Sequence, residues 1–172
     1  MSLGMIHGRF QPFHNGHLEY LRGAAVQSEE IFVGITNPDP SRIKEEASDP
    51  LRHLPESNPF SYVERLLMVK AVAEDEGIRA HVIPFPVNEP ELWAAYVPEG
   101  VTQYLRLFSE WGGTKLDRMR EAGFEVVVLD EGAEKEISGA EVREALRSGG
   151  DWEALVPQGV ARVIRELQRV PV

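Results

Sequence analysis

Short apolar runs alternate with amphipathic segments along this chain, and the alternation predicts strands and helices in turn. Residues 5–9 read as a short strand, followed by a loop and a helix over about 17–28. IFVGIT at 31–36 is continuous and β-branched, the pattern of a strand buried on both faces. Residues 80–85, 102–108 and 124–129 supply three more strand-like runs. Helices are predicted over 61–77, 90–96, 114–122, 138–147 and 158–169. Ser61 with Glu64 makes a capping box, Val63, Leu66, Leu67 and Val69 form the apolar stripe behind it, and Gly77 closes the helix. Pro90 suits a first helical turn. Strand–helix alternation of this kind requires parallel strands joined by right-handed crossovers. The fold class is therefore α/β, an open doubly wound sheet of about five parallel strands finished by C-terminal helices. Ligands bind such sheets at the carboxyl ends of the strands, where the strand order reverses. The loops after the first, fourth and fifth strands are thus where chemistry is expected.

One segment breaks the alternation. Residues 37–59 contain Pro38, Pro40, Pro50, Pro55 and Pro59 around a charged centre at 42–46, and read as a long surface loop or lid. Composition narrows the rest. A length of 172 residues predicts one domain, on the usual ~100–200 residues per domain, and 42% hydrophobic residues suffice for a core. Residues 1–4, ahead of a second methionine at Met5, read as an expression remnant, leaving 5–172 as the domain. The chain has no cysteine, which excludes disulfides, zinc ribbons and thiol nucleophiles. Its longest apolar runs, such as 126–129, are too short to span a bilayer, and no signal-peptide pattern opens it, so a soluble, cytoplasmic protein is expected. The formal charge of −10 argues against nucleic-acid and membrane partners, which usually meet a basic surface. It leaves small phosphate-bearing molecules open, since a pocket needs only local positive charge.

The loop after the first strand reads Gly8-Arg9-Phe10-Gln11-Pro12-Phe13-His14-Asn15-Gly16-His17. Gly8 permits close backbone approach, and Pro12 and Gly16 shape a tight turn. His14 and His17 fall where the first helix begins, a place of unpaired N–H groups and partial positive charge that suits an anion. Imidazoles donate to phosphate oxygens, and Arg9 adds a planar fork of donors. A metal reading of the histidine pair would need distant ligands, because no third histidine follows in the motif. After the fifth strand, Ser138 with Glu141 forms a second capping box, with Arg143 one turn further on. Alone, this reads as an ordinary capped amphipathic helix with Arg143 in solvent.

The first of these segments resembles the G-x-F-x-P-x-H-x-G-H signature of the nucleotidyltransferase superfamily through Gly8, Phe10, Pro12, His14, Gly16 and His17. Its fuller wording looks most like the archaeal-type nicotinamide-mononucleotide adenylyltransferases. The resemblance implies a Rossmann-like fold and transfer of a nucleotidyl group from a nucleoside triphosphate with release of pyrophosphate. Residues 137–143 are similar to the family's second motif through Ser138, Gly139, Glu141 and Arg143, with Ala140 in place of the usual threonine. The resemblance implies ATP as donor, with CTP open, and Mg²⁺ on the leaving pyrophosphate. It further implies that His14 and His17 bear on the reacting phosphate and that Arg9, Ser138, Gly139 and Arg143 hold the other phosphates. Gly8, Phe10 and Gly16 would complete the nucleotide site. Arg42 or Lys44 on the long loop could close over the triphosphate, or lie in solvent.

For the acceptor, Asn58 and Arg65 fall in a segment similar to the family's N-P-F-T-x-x-E-R, and Trp93 in one similar to its W-x-x-Y-V. There the tryptophan stacks on nicotinamide, so these three residues are candidate substrate contacts. Trp93 has a second reading, since Leu92, Trp93, Tyr96 and Val97 also form one face of a helix. The family's S-G-N-P turn after the fourth strand has no counterpart at 109–114. Nicotinamide mononucleotide is the expected acceptor, giving NAD. Phosphopantetheine, a flavin nucleotide or an alcohol phosphate are alternatives, as is a nucleotide sensor without catalysis. The resemblance also implies a homo-oligomer.

Overall fold

A computed structural model describes residues 1–47, 49–108, 110–131 and 137–169. Five strands, β1 (Leu3–Gly8), β2 (Glu30–Thr36), β3 (Ala80–Phe85), β4 (Thr102–Leu107) and β5 (Glu125–Glu131), form one parallel sheet in the order β3-β2-β1-β4-β5. The helices are α1 (Asn15–Ala25), α2 (Tyr62–Glu76), α3 (Trp93–Tyr96), α4 (Glu110–Glu121), α5 (Gly139–Ser148) and α6 (Gln158–Arg169). The expected α/β sheet is therefore present. β1 begins earlier than the apolar run does, because Leu3 and Gly4 pair with Glu30 and Ile31. A ladder recruits any backbone that offers N–H and C=O groups in register, whatever its origin.

Three helix starts also differ from expectation: α3 opens at Trp93 rather than at 90, because Pro90–Leu92 forms a 3₁₀ turn ahead of it. α1 opens at Asn15 because His14 caps it. α4 opens at Glu110 because Gly112, which reads as a breaker, lets the first turn lie against Leu107: a Cβ there would sit 3.1 Å from that side chain. Elsewhere the local rules hold. Ser61 and Glu64 complete the capping box of α2, and Gly77 ends it at φ 65°.

Strand side chains alternate between two cores. Ile6, Ile31, Val33 and Ile35 pack under Leu18, Leu21, Met68, Val72, Val142 and Ile164, from α1, α2, α5 and α6. On the opposite face Met5, Phe85 and Leu105 meet Val87, Trp93, Val97 and Met119, from α3, α4 and their flanks. Each such burial is worth roughly 1.5–3 kcal/mol, so the alternation decides which helix covers which face. Chain order runs outward from β1 to β3 and then returns to place β4 on the other side of β1. The reversal falls between β1 and β4, and Gly8 and Leu107 end the two strands that flank it. No helix among the described residues is long and apolar enough to cross a membrane.

The long loop is more structured than its proline content implies. Short 3₁₀ turns occupy Pro40–Arg42 and Pro55–Ser57, and Asn58 ties the latter part together by donating from Nδ2 to the carbonyls of Arg52 (2.7 Å) and Leu54 (3.0 Å). Gln11 joins it to the loop after β1, donating to Phe60 O at 2.8 Å and accepting from Phe60 N at 2.9 Å.

Candidate active site

The two histidines cap their own helix. Gly16 N donates to Nδ1 of His14, and His14 N donates to Nδ1 of His17, each at 3.1 Å. A neutral imidazole whose Nδ1 accepts carries its proton on Nε2, so both rings are held as Nε2 donors. The rings stack with centroids 3.7 Å apart. Phe10 (φ 52°) and Phe13 set this pair from behind, meeting His17 at 4.9 Å and 5.4 Å. Phe10 is buried, so its place is under His17 rather than against a nucleotide. Gly8 serves the same packing, since a Cβ there would fall 2.7 Å from the Phe10 ring. Gly16 leaves room for the His14 ring, whose Cε1 would be 2.9 Å from a Cβ.

The start of α5 arrives beside the start of α1. Ile137 O lies within 3.9 Å of the point where a Gly16 Cβ would stand. Ser138 caps α5 by accepting from Glu141 N at 3.2 Å, so its hydroxyl serves the cap, and only this half of the expected capping box forms. Arg143 is buried and donates from Nη1 to Gln11 O at 2.8 Å, which fastens α5 to the loop after β1. Gly139 makes the space, because a Cβ would stand 2.7 Å from that guanidinium nitrogen. Arg9 reaches the long loop, donating to Arg52 O (3.2 Å) and Ser57 O (3.5 Å). Burial, with the charges of Arg52, Arg143 and Arg65, lowers Arg9 to about 10, against a smaller opposing effect of Asp49. Burial also lowers Arg143. Guanidiniums crowded this closely are relieved by a bound polyanion. A protein of charge −10 thus carries a local positive field at the carboxyl edge of its sheet.

Arg106 belongs to this region and carries no motif that would announce it. It donates to Gly16 O at 2.8 Å, pairs with Asp130 at 3.0 Å, and lies 4.9 Å over the Phe108 ring. Its only sequence signal is a lone arginine next to last in an apolar strand that ends at the reversal point.

A second, separate concavity of about 20 Å³ opens on the other face, at the ends of β1 and β2. His7, Thr36, Arg52, Lys115, Asn88 and Glu46 line it, next to Gly8 and Arg9. His7 and Thr36 are buried, and neither ring nitrogen of His7, nor Thr36 Oγ1, nor Arg52 Nε has a hydrogen-bond partner. Burial, then the charges of Lys115 and Arg52, holds the His7 imidazole well below its ordinary value, so it stands neutral. Asn88 donates to Glu46 at 2.9 Å across the rim.

The three expected acceptor contacts have structural places instead. Trp93 is 2% exposed, donates from Nε1 to Pro86 O at 2.9 Å and packs on Phe85 and Phe124. The helix-face reading describes it. Arg65 is fully buried and donates to the carbonyls of Ser61 (3.1 Å), Arg9 (2.9 Å), Thr36 (2.8 Å) and Asn37 (3.0 Å). It pins the ends of β1 and β2 to α2, and burial lowers it to about 10. Asn58 stays within its loop. Arg42 and Lys44 are exposed. Lys135 and Ser109 lie outside the described residues. No three His, Cys, Asp or Glu side chains among the described residues group as metal ligands, and the nitrogens gathered here suit an anion rather than a cation.

The family model described as cytidylyltransferase-like matches residues 5–145, which take in most of β1, all of β2 to β5 and most of α5. The chain belongs to that family. It is accordingly a nucleotidyltransferase, as are its relatives. The phosphonoformate cytidylyltransferase of Streptomyces viridochromogenes is 45% identical over 95% of this chain and 90% of its own. The nicotinamide-nucleotide adenylyltransferases of Thermococcus onnurineus and Thermococcus kodakarensis are 33% and 34% identical, each over 97% of this chain and 84% of theirs. The fold also matches a bifunctional NMN adenylyltransferase/ADP ribose pyrophosphatase from Francisella tularensis, with a TM-score of 0.58 at 15% identity, over 99% of this chain. This chain spans 57% of that longer protein.

Proposed function

We propose that this nucleotidyltransferase moves a cytidylyl group from CTP to a small phosphonate or phosphate acid. The observation that carries the reading is Trp93, whose burial and bond to Pro86 O keep that ring from serving as a platform for nicotinamide. The 45% identity to a phosphonoformate cytidylyltransferase supports the same donor and acceptor class. An acceptor oxygen attacks the α-phosphorus of CTP, a new P–O bond forms, the α–β bridging bond breaks, and pyrophosphate leaves. The acceptor oxygen is already ionised, so no proton need be removed. Chemistry of this kind rests on positioning and charge stabilisation. In this reading Nε2 of His14 and His17 donate to the α-phosphoryl oxygens as charge grows there. Arg143 and Arg9 draw the departing phosphates, and Arg106 holds the start of α1 in place. A Mg²⁺ ion would be held chiefly by the triphosphate's own oxygens, since no group of metal-ligating side chains stands among the described residues, and it would offset the charge of the leaving pyrophosphate.

A second reading, adenylyl transfer from ATP to nicotinamide mononucleotide, draws on the archaeal relatives at 33–34% identity and requires Trp93 to leave its core position. Pyrophosphate release separates the two when CTP and ATP are crossed with phosphonoformate, nicotinamide mononucleotide, phosphopantetheine, flavin mononucleotide and simple alcohol phosphates. CTP with phosphonoformate is expected to turn over fastest. Faster turnover of ATP with nicotinamide mononucleotide would overturn the proposal.

A further inference from the structure

The concavity at the ends of β1 and β2 holds something rare in a folded protein: four side-chain polar atoms, on three residues from three segments, buried without partners and gathered at one small space. They are both nitrogens of His7, Thr36 Oγ1 and Arg52 Nε. Buried polar groups are normally satisfied, and each unsatisfied one costs about 1–3 kcal/mol. Three of them can donate, one ring nitrogen of His7, the Thr36 hydroxyl and Arg52 Nε, so the set is poised for a ligand that accepts there. Among the described residues the lining includes Arg9, Arg52 and Lys115 with one carboxylate, Glu46. The concavity adjoins Gly8 and Arg9, where the loop that carries the histidines begins. At about 20 Å³ it admits a group of water or carboxylate size and excludes an aromatic ring.

Taking the proposed reaction as given, we infer that His7, Thr36 and Arg52 form the acceptor's specificity pocket and bind a compact second acidic group carried close to the phosphorus that bears the attacking oxygen. The acceptor class is then a phosphonate or phosphate bearing a carboxylate one or two bonds away. His7 and Thr36 do not touch the reacting atoms; they select what lies beside them. Because both project from strand ends, the pocket is rigid and discriminates by size as well as charge. A neutral His7 offers one ring N–H to the anion, and Thr36 offers its hydroxyl proton.

The experiment compares phosphonoformate with methylphosphonate, which keeps the phosphonate and lacks the carboxylate. With CTP present, wild-type protein is expected to show at least a tenfold lower KM for phosphonoformate. His7→Phe fills the pocket, and Thr36→Val, nearly isosteric, keeps the test valid should His7→Phe not fold. Each is expected to erase most of that difference while the KM for CTP changes less than twofold. Undiminished discrimination in both variants would overturn the assignment. A readout independent of turnover is the imidazole NMR signal of His7, identified by its loss in His7→Phe. Phosphonoformate should shift it in the presence or absence of CTP, and a shift confined to His14 and His17 would overturn the pocket. If phosphonoformate moves the His7 signal but no pyrophosphate appears with any phosphonate, the proposed reaction falls and the anion pocket stands.

Discussion

The sheet carries two polar regions at its carboxyl edge, one on each face, and they are built in opposite ways. On the α1 and α5 face, the described polar side chains are aimed by protein partners: His14 and His17 cap α1, Ser138 caps α5, and Arg143 grips Gln11 O. On the α4 face, His7, Thr36 and Arg52 present buried atoms without partners. The first region is preorganised to stabilise charge that appears during a reaction, which requires donors already oriented and costs no reorganisation. The second stores unmet hydrogen-bonding capacity, which favours a ligand in its ground state. In the proposed reading, transition-state chemistry and acceptor choice are thus separated onto two faces of one strand end, with Arg9 lining the second.

Substitutions can break that separation, and the largest effect falls on the histidines. His17→Ala should lower turnover by about 10²–10³-fold while nucleotide affinity changes much less, as loss of a preorganised donor does. Steady-state rates beside calorimetric binding of CTP check this, and an equal loss of both would mean that His17 only binds.

Arg65 is next, because its carbonyl partners Arg9, Thr36 and Asn37 support both regions at once. Arg65→Met leaves those carbonyls without donors and should cost about 3 kcal/mol or more, read as a fall in Tm on the order of 10 °C. An unchanged Tm would show that the two regions do not share this support.

Gly139→Ala sharpens the contrast with a smaller change. The new methyl would stand against the Arg143 guanidinium and displace it from Gln11 O, raising the KM for the nucleotide about tenfold, roughly 1.4 kcal/mol, with the phosphonoformate KM little altered.

The smallest effect is expected at Trp93. Trp93→Phe removes the donor to Pro86 O and should cost about 1 kcal/mol of stability, with the acceptor KM within twofold of wild type. A large rise in acceptor KM at unchanged Tm would restore the stacking role.

How much of this was readable beforehand follows the range of the interactions. Local rules located β3 and α6 to the residue, and the capping box at Ser61 and the stop at Gly77 placed α2. His14 and His17 were legible because three residues and one helix start suffice to bring them together. Arg106 was not, because its partners Gly16 and Asp130 come from α1 and β5. Trp93, Asn58 and Arg65 were legible as residues of the right type in the right segments, yet type does not say which way a side chain points. Arg65 turns inward because four carbonyls at the ends of two strands and one helix need a fork of donors. Asn58 turns back on its own loop for the same reason.

The sequence by itself determined the parallel α/β order, the caps of α2 and α5 and the meeting of His14 with His17 at one helix start, since period, capping and turn chemistry act over a few residues. Tertiary structure alone decided that Trp93 is core and that His7 is a pocket wall. Both choices depend on which face of the sheet a strand residue meets and what a distant helix lays over it, and no local pattern carries that information.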